Sequence, residues 1–401
     1  MTWQPGILPG YEALLLPLPN VTPVAGEPAG SQLCATLVRR NPPRSPVALL
    51  YLHGWNDYFF QTHLAERIAD LGFDFYALDL RRYGRSLQEG QLRGFVADLD
   101  DYDAELGMAT DLISAEHDTL VLLGHSTGGL VASLWAARHP DRVDALILNS
   151  PWLDVPGPAL LLALSTLVIH RIGDRNPTAA LRLPDLGHYV RSVHTAQGGE
   201  WDYDLALKSS PSPPIRMGWL RAVRRGQARV AAGLQLPMPV LVLLSAASTF
   251  SRTWHEGLRE VDTVLNVELT AQRAVQLGQL VTVARIAGAL HDVLLSALPA
   301  REQTSPSRPV AVCVRPAALT ARPSGHFHCA GARTTPLGRW LGRTFASVEV
   351  PTGQPRIVVE SDSGQKGSPP HCLNRRVRSA LTPAARSRCR PPRYSAVAFE
   401  R

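Results

Sequence analysis

At residues 120–129 the chain reads Leu-Val-Leu-Leu-Gly-His-Ser-Thr-Gly-Gly, an apolar run that ends in a G-x-S-x-G pattern. The apolar residues predict a short buried strand, and Leu130, Leu134 and Ala137 then recur at helical spacing. Glycine two residues on either side of a serine leaves room for the backbone to close in a tight strand-to-helix turn. We therefore expect Ser126 to be exposed at such a turn as a nucleophile; the alternative is an ordinary turn, because the short pattern also occurs by chance.

Strand-like and helix-like segments alternate outward from this turn up to about residue 300. Predicted strands cover residues 47–52, 73–78, 120–123, 143–148, 240–244 and 281–286, with two predicted edge strands at 11–18 and 32–38. Helical spacing marks one helix through Phe60, Leu64, Ile68 and Leu71, and another through Leu99, Tyr102, Leu106 and Leu112. Near-continuous Val, Leu and Ile in the strands predict an α/β fold with a mostly parallel central sheet and helices on both faces.

The chain is expected to divide into a body, an insertion and a tail. Residues 1–150 and 237–302 form the two parts of the body, and residues 151–236, rich in Pro, Gly, Trp and Tyr, are inserted between two core strands. An insertion at the carboxyl ends of sheet strands lies over the active site, which predicts a lid. Its apolar stretch at 159–169 either packs against the body or contacts acyl chains or a membrane surface.

Residues 303–401 differ from the rest in charge and periodicity. Residues 301–401 hold sixteen Arg and one Lys against five acids, a net charge of +12, so residues 1–300 carry −5 of the whole-chain +7. The whole chain has 39 Arg and two Lys, which implies GC-rich coding DNA, where reading out of frame also yields Arg, Pro, Ala and Gly. We expect a disordered or frame-shifted tail; the alternative is a genuine basic tail that binds nucleic acid or anionic membrane.

The cysteine content and the hydropathy of the chain indicate the cellular compartment in which it is expected. Cys34 is the one cysteine before residue 300, so the body has no internal disulfide, as is typical of a reducing compartment. Residues 1–10 lack the pattern of a signal peptide, and the longest apolar run, 159–169, is shorter than the roughly 20 residues of a membrane span. We expect a cytoplasmic protein with no nucleic-acid partner and no obligate protein partner.

A serine nucleophile needs a base and a group that orients the base. His291 follows the last predicted strand through a turn of small residues and is the expected base. Asp262, 29 residues before it, is the first candidate acid, because that distance accommodates one helix and one strand. Asp154 is the second candidate and Glu268 the third, and capping a helix is the alternative role for Asp262. This chemistry requires no metal and no cofactor.

Attack on a carbonyl also requires donors for the oxyanion. The expected donors are the backbone amides of Thr127 and of Trp55, which lies in the loop after strand 47–52. Gly54 lets that loop approach the substrate closely, while His53 is expected to make structural hydrogen bonds. Four residues thus support the motifs: His53, Gly54, Gly124 and Gly128.

Four motifs together resemble a known family. They are HGW at 53–55, DLRRYGRS at 79–86, GHSTGG at 124–129 and LHD at 290–292. The chain is similar, over residues 10–300, to the α/β-hydrolases grouped with monoacylglycerol lipases, lysophospholipases and S33-type serine aminopeptidases. Segments 199–203 and 218–225 look like an actinobacterial branch of that group. The resemblance implies the α/β-hydrolase fold, and its D-x-V-x-x-V setting of the acid supports Asp262.

The resemblance also implies an activity. We expect a serine hydrolase that cleaves small lipophilic esters of the monoacylglycerol or lysophospholipid type through an acyl-enzyme, with transient lipid contact through the lid. A peptidase or amidase with the same triad is the first alternative. The second is a catalytically impaired hydrolase scaffold that only binds. Members of the family end in a helix soon after the histidine, often with a Leu-Gly-Arg-Trp-Leu-like run, which here stands at 337–341 after an extra segment.

Overall fold

The computed structural model describes residues 1–304, apart from residues 41, 156–158 and 183–184 and the side chains of residues 159–165. The predicted tail therefore lies outside the described residues from residue 305 onward, and its disorder or frame shift stays a prediction. None of the helices in the described part is both long and apolar enough to cross a membrane.

Eleven strands occur in the described chain, and nine of them form one sheet. In chain order they are β1 (Gln4–Pro5), β2 (Glu12–Pro17), β3 (Cys34–Arg39), β4 (Val47–Leu52), β5 (Asp74–Asp79), β6 (Thr119–His125), β7 (Ala145–Asn149), β8 (Ala180–Leu181), β9 (Ile215–Arg216), β10 (Val240–Ser245) and β11 (Val281–Ile286). The large sheet has the order β1-β2-β3-β5-β4-β6-β7-β10-β11, while β8 pairs with β9. Strands β5, β4, β6, β7, β10 and β11 run parallel, and β1 to β3 are antiparallel to their neighbours.

Eight α-helices accompany these strands in the described part. They are α1 (Thr62–Asp70), α2 (Asp103–Ser114), α3 (Thr127–Arg138), α4 (Ala159–Arg175), α5 (His188–Val193), α6 (Met217–Ala231), α7 (Val267–Ala274) and α8 (Leu298–Gln303). Leu50 of β4 packs in the core that contains α2 and α3, and its neighbour Leu49 packs in the core that contains α1. Because successive strand residues point to opposite faces, the apolar run of β4 fills a core on each side of the sheet.

Two details of the predicted elements are wrong. Segments 11–18 and 32–38 contain strands β2 and β3, but neither is an edge, because β1 covers β2 and β3 pairs with both β2 and β5. The predicted helix face included Leu112, which is 37% exposed, whereas its neighbour Ile113 is fully buried. Leu106 and Leu112 both lie in α2, and six α-helical residues at about 100° each place Leu112 about 240° around the helix from Leu106, away from the buried face.

The inserted segment (residues 151–236) contains helices α4, α5 and α6 and the small β8–β9 sheet. Helix α6 packs on the body through Gly226, where an added Cβ would lie 2.8 Å from Leu134 of α3. The parallel strands all end at the same edge of the sheet. The loops that follow β4, β6, β7, β10 and β11 therefore meet at that edge, beside the inserted segment.

Candidate active site

Ser126 lies in the turn between β6 and α3 with a left-handed backbone. Its φ is +52° and its ψ is −117°, a conformation that side-chain-bearing residues rarely adopt. The Ser126 amide donates to the carbonyl of Asn149 at 3.0 Å, and the Ser126 carbonyl accepts from the amides of Gly129 and Trp152 at 3.0 Å. Hydrogen bonds from β7 and from the start of α3 thus hold the strained turn in place.

The glycines around Ser126 are required by close backbone contacts. A Cβ on Gly124 would lie 2.6 Å from the Gly128 carbonyl oxygen, and one on Gly128 would lie 2.2 Å from the carbonyl oxygen of His53. Real Cβ atoms do not approach other atoms so closely. The G-x-S-x-G spacing therefore brings α3 against both its own strand and the loop after β4.

His291 and Asp262 form a buried pair. His291 Nδ1 lies 2.9 Å from Asp262 Oδ2, and the two side chains are 3% and 0% exposed. The other carboxylate oxygen, Oδ1, accepts the amides of Val264 at 2.7 Å and Leu265 at 2.8 Å. The acid is thus fixed by its own loop, and the nitrogen that donates to it assigns the imidazole tautomer with Nε2 unprotonated.

Asp262 reaches the histidine although it stands far along the chain from the end of β10. The loop after Ser245 folds back on itself, so that the Asp262 amide donates to the Ala247 carbonyl at 2.9 Å. The amide of Thr249 returns a bond to the Asp262 carbonyl at 2.9 Å. This backbone bridge places the carboxylate just beyond the carboxyl end of β10, despite the long loop between them.

The two alternative acids are engaged elsewhere. Asp154 Oδ2 accepts from Arg273 Nε of α7 at 2.9 Å. Glu268 is 68% exposed in its side chain and pairs with Arg285 of β11. Of the three candidate acids, Asp262 is the one that the structure pairs with His291.

The loop after β4 (residues 53–58, the β4 loop) lies directly beside Ser126. A Cβ on Gly54 would lie 3.1 Å from Ser126 Cβ, which places the backbone of Gly54 and Trp55 next to the serine. Thr127 is the first residue of α3, where amides have no acceptor within the helix. The β4 loop and α3, which carry the two predicted oxyanion donors, therefore both lie beside Ser126.

His53 has hydrogen-bond partners on both ring nitrogens. Its Nε2 accepts the Leu80 amide at 3.1 Å, and its Nδ1 lies 2.8 Å from the carbonyl of Gly54. The ring is 1% exposed and packs edge-on against Tyr83 at 4.8 Å. These contacts tie the β4 loop to the end of β5, and the structural role of His53 stays a prediction.

A second histidine near the serine was missed as a site residue. The His125 ring lies 5.0 Å from the His291 ring, and its Nδ1 is 3.1 Å from the Asn149 carbonyl. Burial, and then repulsion from His291, lowers the pKa of His125 from 6.5 to about 3. His125 is therefore uncharged at neutral pH.

Asp292 extends this cluster. Its Oδ1 accepts the side-chain amide of Asn149 at 2.6 Å, and the Asn149 Oδ1 accepts the Val293 amide at 3.1 Å. These bonds join the end of β7 to the loop that carries His291. The LHD sequence at 290–292 was the signal that marked this residue.

The inserted segment supplies three further side chains to the site. Tyr189 of α5 packs edge-on against the His291 ring at 5.8 Å. Lys208 pairs with Asp57 of the β4 loop at 2.8 Å. Trp219 of α6 lies 4.1 Å from the ring of Trp55. Sequence reasoning missed all three, because no motif marks a residue that reaches the site across the fold.

Comparisons with known proteins give the family. The family described as serine aminopeptidase, S33 matches residues 43–253, just over half of the chain. A monoacylglycerol lipase of Mycolicibacterium smegmatis is 33% identical over 201 residues, which are 49% of this chain and 64% of that protein. A (lyso)-N-acylphosphatidylethanolamine lipase of Mus musculus is 32% identical over 121 residues, 27% of this chain and 33% of that protein. The chain thus spans less than two thirds of the length of these curated relatives.

A solved structure shows the fold. A soluble variant of monoglyceride lipase from Saccharomyces cerevisiae, in complex with a substrate analog, superposes with a TM-score of 0.50. The two chains are 13% identical, and the match covers 69% of this chain and 89% of the yeast chain. With the parallel sheet, the flanking helices and the glycine-bounded serine turn, these matches show that the chain has the α/β-hydrolase fold and belongs to the serine aminopeptidase S33 family.

Proposed function

We propose that this chain is a serine hydrolase that cleaves carboxylic esters of lipophilic substrates, of the monoacylglycerol or lysophospholipid type. One observation carries the proposal: the His291 ring of a buried Asp262–His291 pair lies 5.0 Å from the ring of His125, the residue before a serine held at φ +52° in a strand-to-helix turn. The names of the similar proteins support the substrate class, since they include a monoacylglycerol lipase and a (lyso)-N-acylphosphatidylethanolamine lipase.

In the proposed acylation step, Ser126 Oγ attacks the acyl carbon while His291 Nε2 takes the serine proton. The electron pair of the carbonyl bond moves to its oxygen, which accepts hydrogen bonds from the amides of Trp55 and Thr127. When the carbonyl reforms, the ester bond breaks, and His291 returns its proton to the leaving alcohol. Asp262 orients the ring and stabilises its positive charge throughout.

In the proposed deacylation step, water replaces the alcohol. His291 takes a proton from the water, whose oxygen attacks the acyl carbon on Ser126. Collapse of the second tetrahedral intermediate breaks the bond to Ser126 Oγ, which recovers its proton from His291. The products are a carboxylic acid and the regenerated serine.

The test compares substrate classes on the full chain. Wild type is expected to hydrolyse monoacylglycerols and lysophospholipids faster than aminoacyl nitroanilides, and Ser126→Ala is expected to hydrolyse none of them above background. Faster turnover of the nitroanilides would contradict the esterase activity and support the peptidase alternative. Turnover that survives in Ser126→Ala would overturn the mechanism itself.

We also propose that the inserted segment is a lid over a body formed by residues 1–150 and 237–302, and that it makes transient lipid contact. The support is an apolar surface on α4, where Leu167 is 63%, Val168 55% and Ile172 41% exposed. Leu167→Ser/Val168→Ser is expected to weaken co-sedimentation with lipid vesicles and to leave hydrolysis of a water-soluble ester unchanged. Vesicle binding equal to wild type would contradict the lipid contact.

The remaining proposals concern location and partners. We place the enzyme in the cytoplasm, acting on small-molecule substrates without an obligate protein partner or a nucleic acid. The buried free thiol of Cys34 supports a reducing compartment. Cell fractionation with an antibody against the native chain tests the location, and recovery outside the cytosolic fraction would contradict it.

A further inference from the structure

A lysine of the inserted segment reaches the body through a buried ion pair. Lys208 Nζ lies 2.8 Å from Asp57 Oδ1, with the two side chains 6% and 2% exposed. Asp57 stands two residues after Trp55 in the β4 loop. The chain has 39 arginines and two lysines, so a buried lysine here does not reflect a lysine-rich composition.

Three aromatic rings surround the ammonium group. Lys208 Nζ lies 5.1 Å from the ring centroid of Phe60, 5.2 Å from that of Tyr203 and 5.5 Å from that of Tyr189. Ring faces attract a cation at these distances, and more strongly where water is excluded. Because Tyr189 also contacts the His291 ring, this aromatic box connects Lys208 to the base as well as to the β4 loop.

Hydrogen bonds on both sides of Asp57 join the same two segments. Asn56 Nδ2 donates to the Ser209 carbonyl at 2.7 Å, and Ser209 Oγ lies 3.2 Å from Asn56 Oδ1. The Asp204 amide donates to the Tyr58 hydroxyl at 2.9 Å. Asn56 has a φ of +50°, so the β4 loop takes a backbone conformation here that needs outside contacts to persist.

A buried ion pair generally adds little to the net stability of a fold. Removing two charges from water costs about as much as their attraction returns, so apolar side chains of similar size often serve the fold as well. What such a pair does provide is a fixed geometry, because neither charge tolerates being left alone in the interior. The Lys208–Asp57 pair fixes the loop whose Trp55 amide flanks Ser126.

We propose that Lys208 is a positioning residue: through Asp57 it holds the β4 loop so that the Trp55 amide points at the oxyanion. The proposal rests on the proposed function, because it presupposes that an oxyanion forms at Ser126. An amide displaced from the oxyanion loses transition-state stabilisation without changing how the substrate is held. The effect is therefore expected in kcat and not in KM.

The test uses two variants of the full chain with a water-soluble nitrophenyl ester. Lys208→Met leaves Asp57 buried without a cation, so both its melting temperature and its kcat are expected to fall, kcat by at least about tenfold. Asp57→Asn/Lys208→Met removes both charges, so its melting temperature is expected to recover while kcat stays about tenfold low and KM changes little. Labelling by a fluorophosphonate probe is expected to slow by the same factor.

The matched control is Glu12→Gln/Arg39→Met, which removes an ion pair between the antiparallel strands β2 and β3, which β5 separates from β4. It is expected to keep the wild-type kcat. A wild-type kcat in Lys208→Met, recovery of kcat together with melting temperature in the double variant, or a double variant that does not fold would each overturn the proposal. A wild type that the probe does not label would instead contradict the proposed function.

Discussion

The candidate triad stands entirely on loops that leave strands of the body. The side chains that contact His291 or the β4 loop from the inserted segment are Tyr189, Lys208 and Trp219. The body is built from apolar strands that pack on both faces of a sheet. The inserted segment also packs apolar side chains of α6 into one of these cores, and it meets the β4 loop through an ion pair, ring contacts and hydrogen bonds. The comparison teaches that the body supplies the reacting groups, and we infer that the inserted segment controls how accurately they are held.

The largest effect is expected at the serine of the body. Ser126→Ala removes the attacking oxygen, so kcat is expected to fall by at least about a thousandfold. Steady-state hydrolysis of a nitrophenyl ester measures this. Ser150→Ala is the matched control, since Ser150 also has a positive φ, +45°, and its buried hydroxyl has no hydrogen-bond partner in the structure. A Ser126→Ala variant whose kcat equals that of this control would show that Ser126 is not the nucleophile.

The next effect separates the two aspartates of the body. Asp262→Asn keeps the shape of the side chain but replaces the carboxylate oxygen that accepts from His291 Nδ1 and fixes the tautomer of the ring. We therefore expect kcat to fall by about a thousandfold or more. Asp154→Asn breaks a partly buried ion pair with Arg273 of α7, and its kcat is expected to stay within about threefold of wild type. Measuring both variants with the same ester decides between them. The reverse order of effects would make Asp154 the acid.

Substitution of one buried tryptophan in the inserted segment and one in the body compares the effect of the two regions on kcat. Trp219→Ala, in α6, and Trp135→Ala, in α3, each remove a side chain that is 2% exposed or less and are expected to lower the free energy of unfolding by about 3–5 kcal/mol. Trp219 alone of the two contacts Trp55, so Trp219→Ala is expected to lower kcat by roughly tenfold as well. The measurement is kcat at a temperature where both variants are folded. Equal kcat values in the two variants would contradict a positioning role for the inserted segment.

The smallest effect concerns His125 and pH. Its pKa is about 3 in the folded protein, against an ordinary 6.5, so between these values the unfolded chain binds a proton that the folded chain does not. Stability is therefore expected to fall as pH falls through this range. His125→Asn lacks the group, so its melting temperature is expected to fall less than that of wild type between pH 7 and pH 4. Parallel curves would show that His125 titrates normally in the folded state.

Sequence reasoning was most informative where a periodic pattern met a motif. The run that ends in Gly124 predicted the strand, and the glycine spacing predicted a close contact that the backbone now shows against His53. Asp262 could be ranked first from its place in the chain alone. The fold-back of its loop onto Ala247 could not be predicted, because a backbone bridge between irregular segments has no periodicity.

Contacts across the fold were beyond the reach of a single sequence. Lys208 and Asp57 are 151 residues apart, and neither lies in a motif that would pair them. The low pKa of His125 likewise follows from burial against His291, which local sequence does not specify. The predicted helix face was wrong at Leu112, because a spacing of six residues from Leu106 does not return to the same face of an α-helix.

Covalent labelling tests the central claim most directly. The full chain is treated with a fluorophosphonate, digested, and the modified peptide is identified by mass spectrometry. The account predicts one adduct, on Ser126, which is absent from Ser126→Ala and forms more slowly in Asp262→Asn. An adduct on another residue, or no adduct on the folded wild-type chain, would contradict the assignment of Ser126 as the nucleophile.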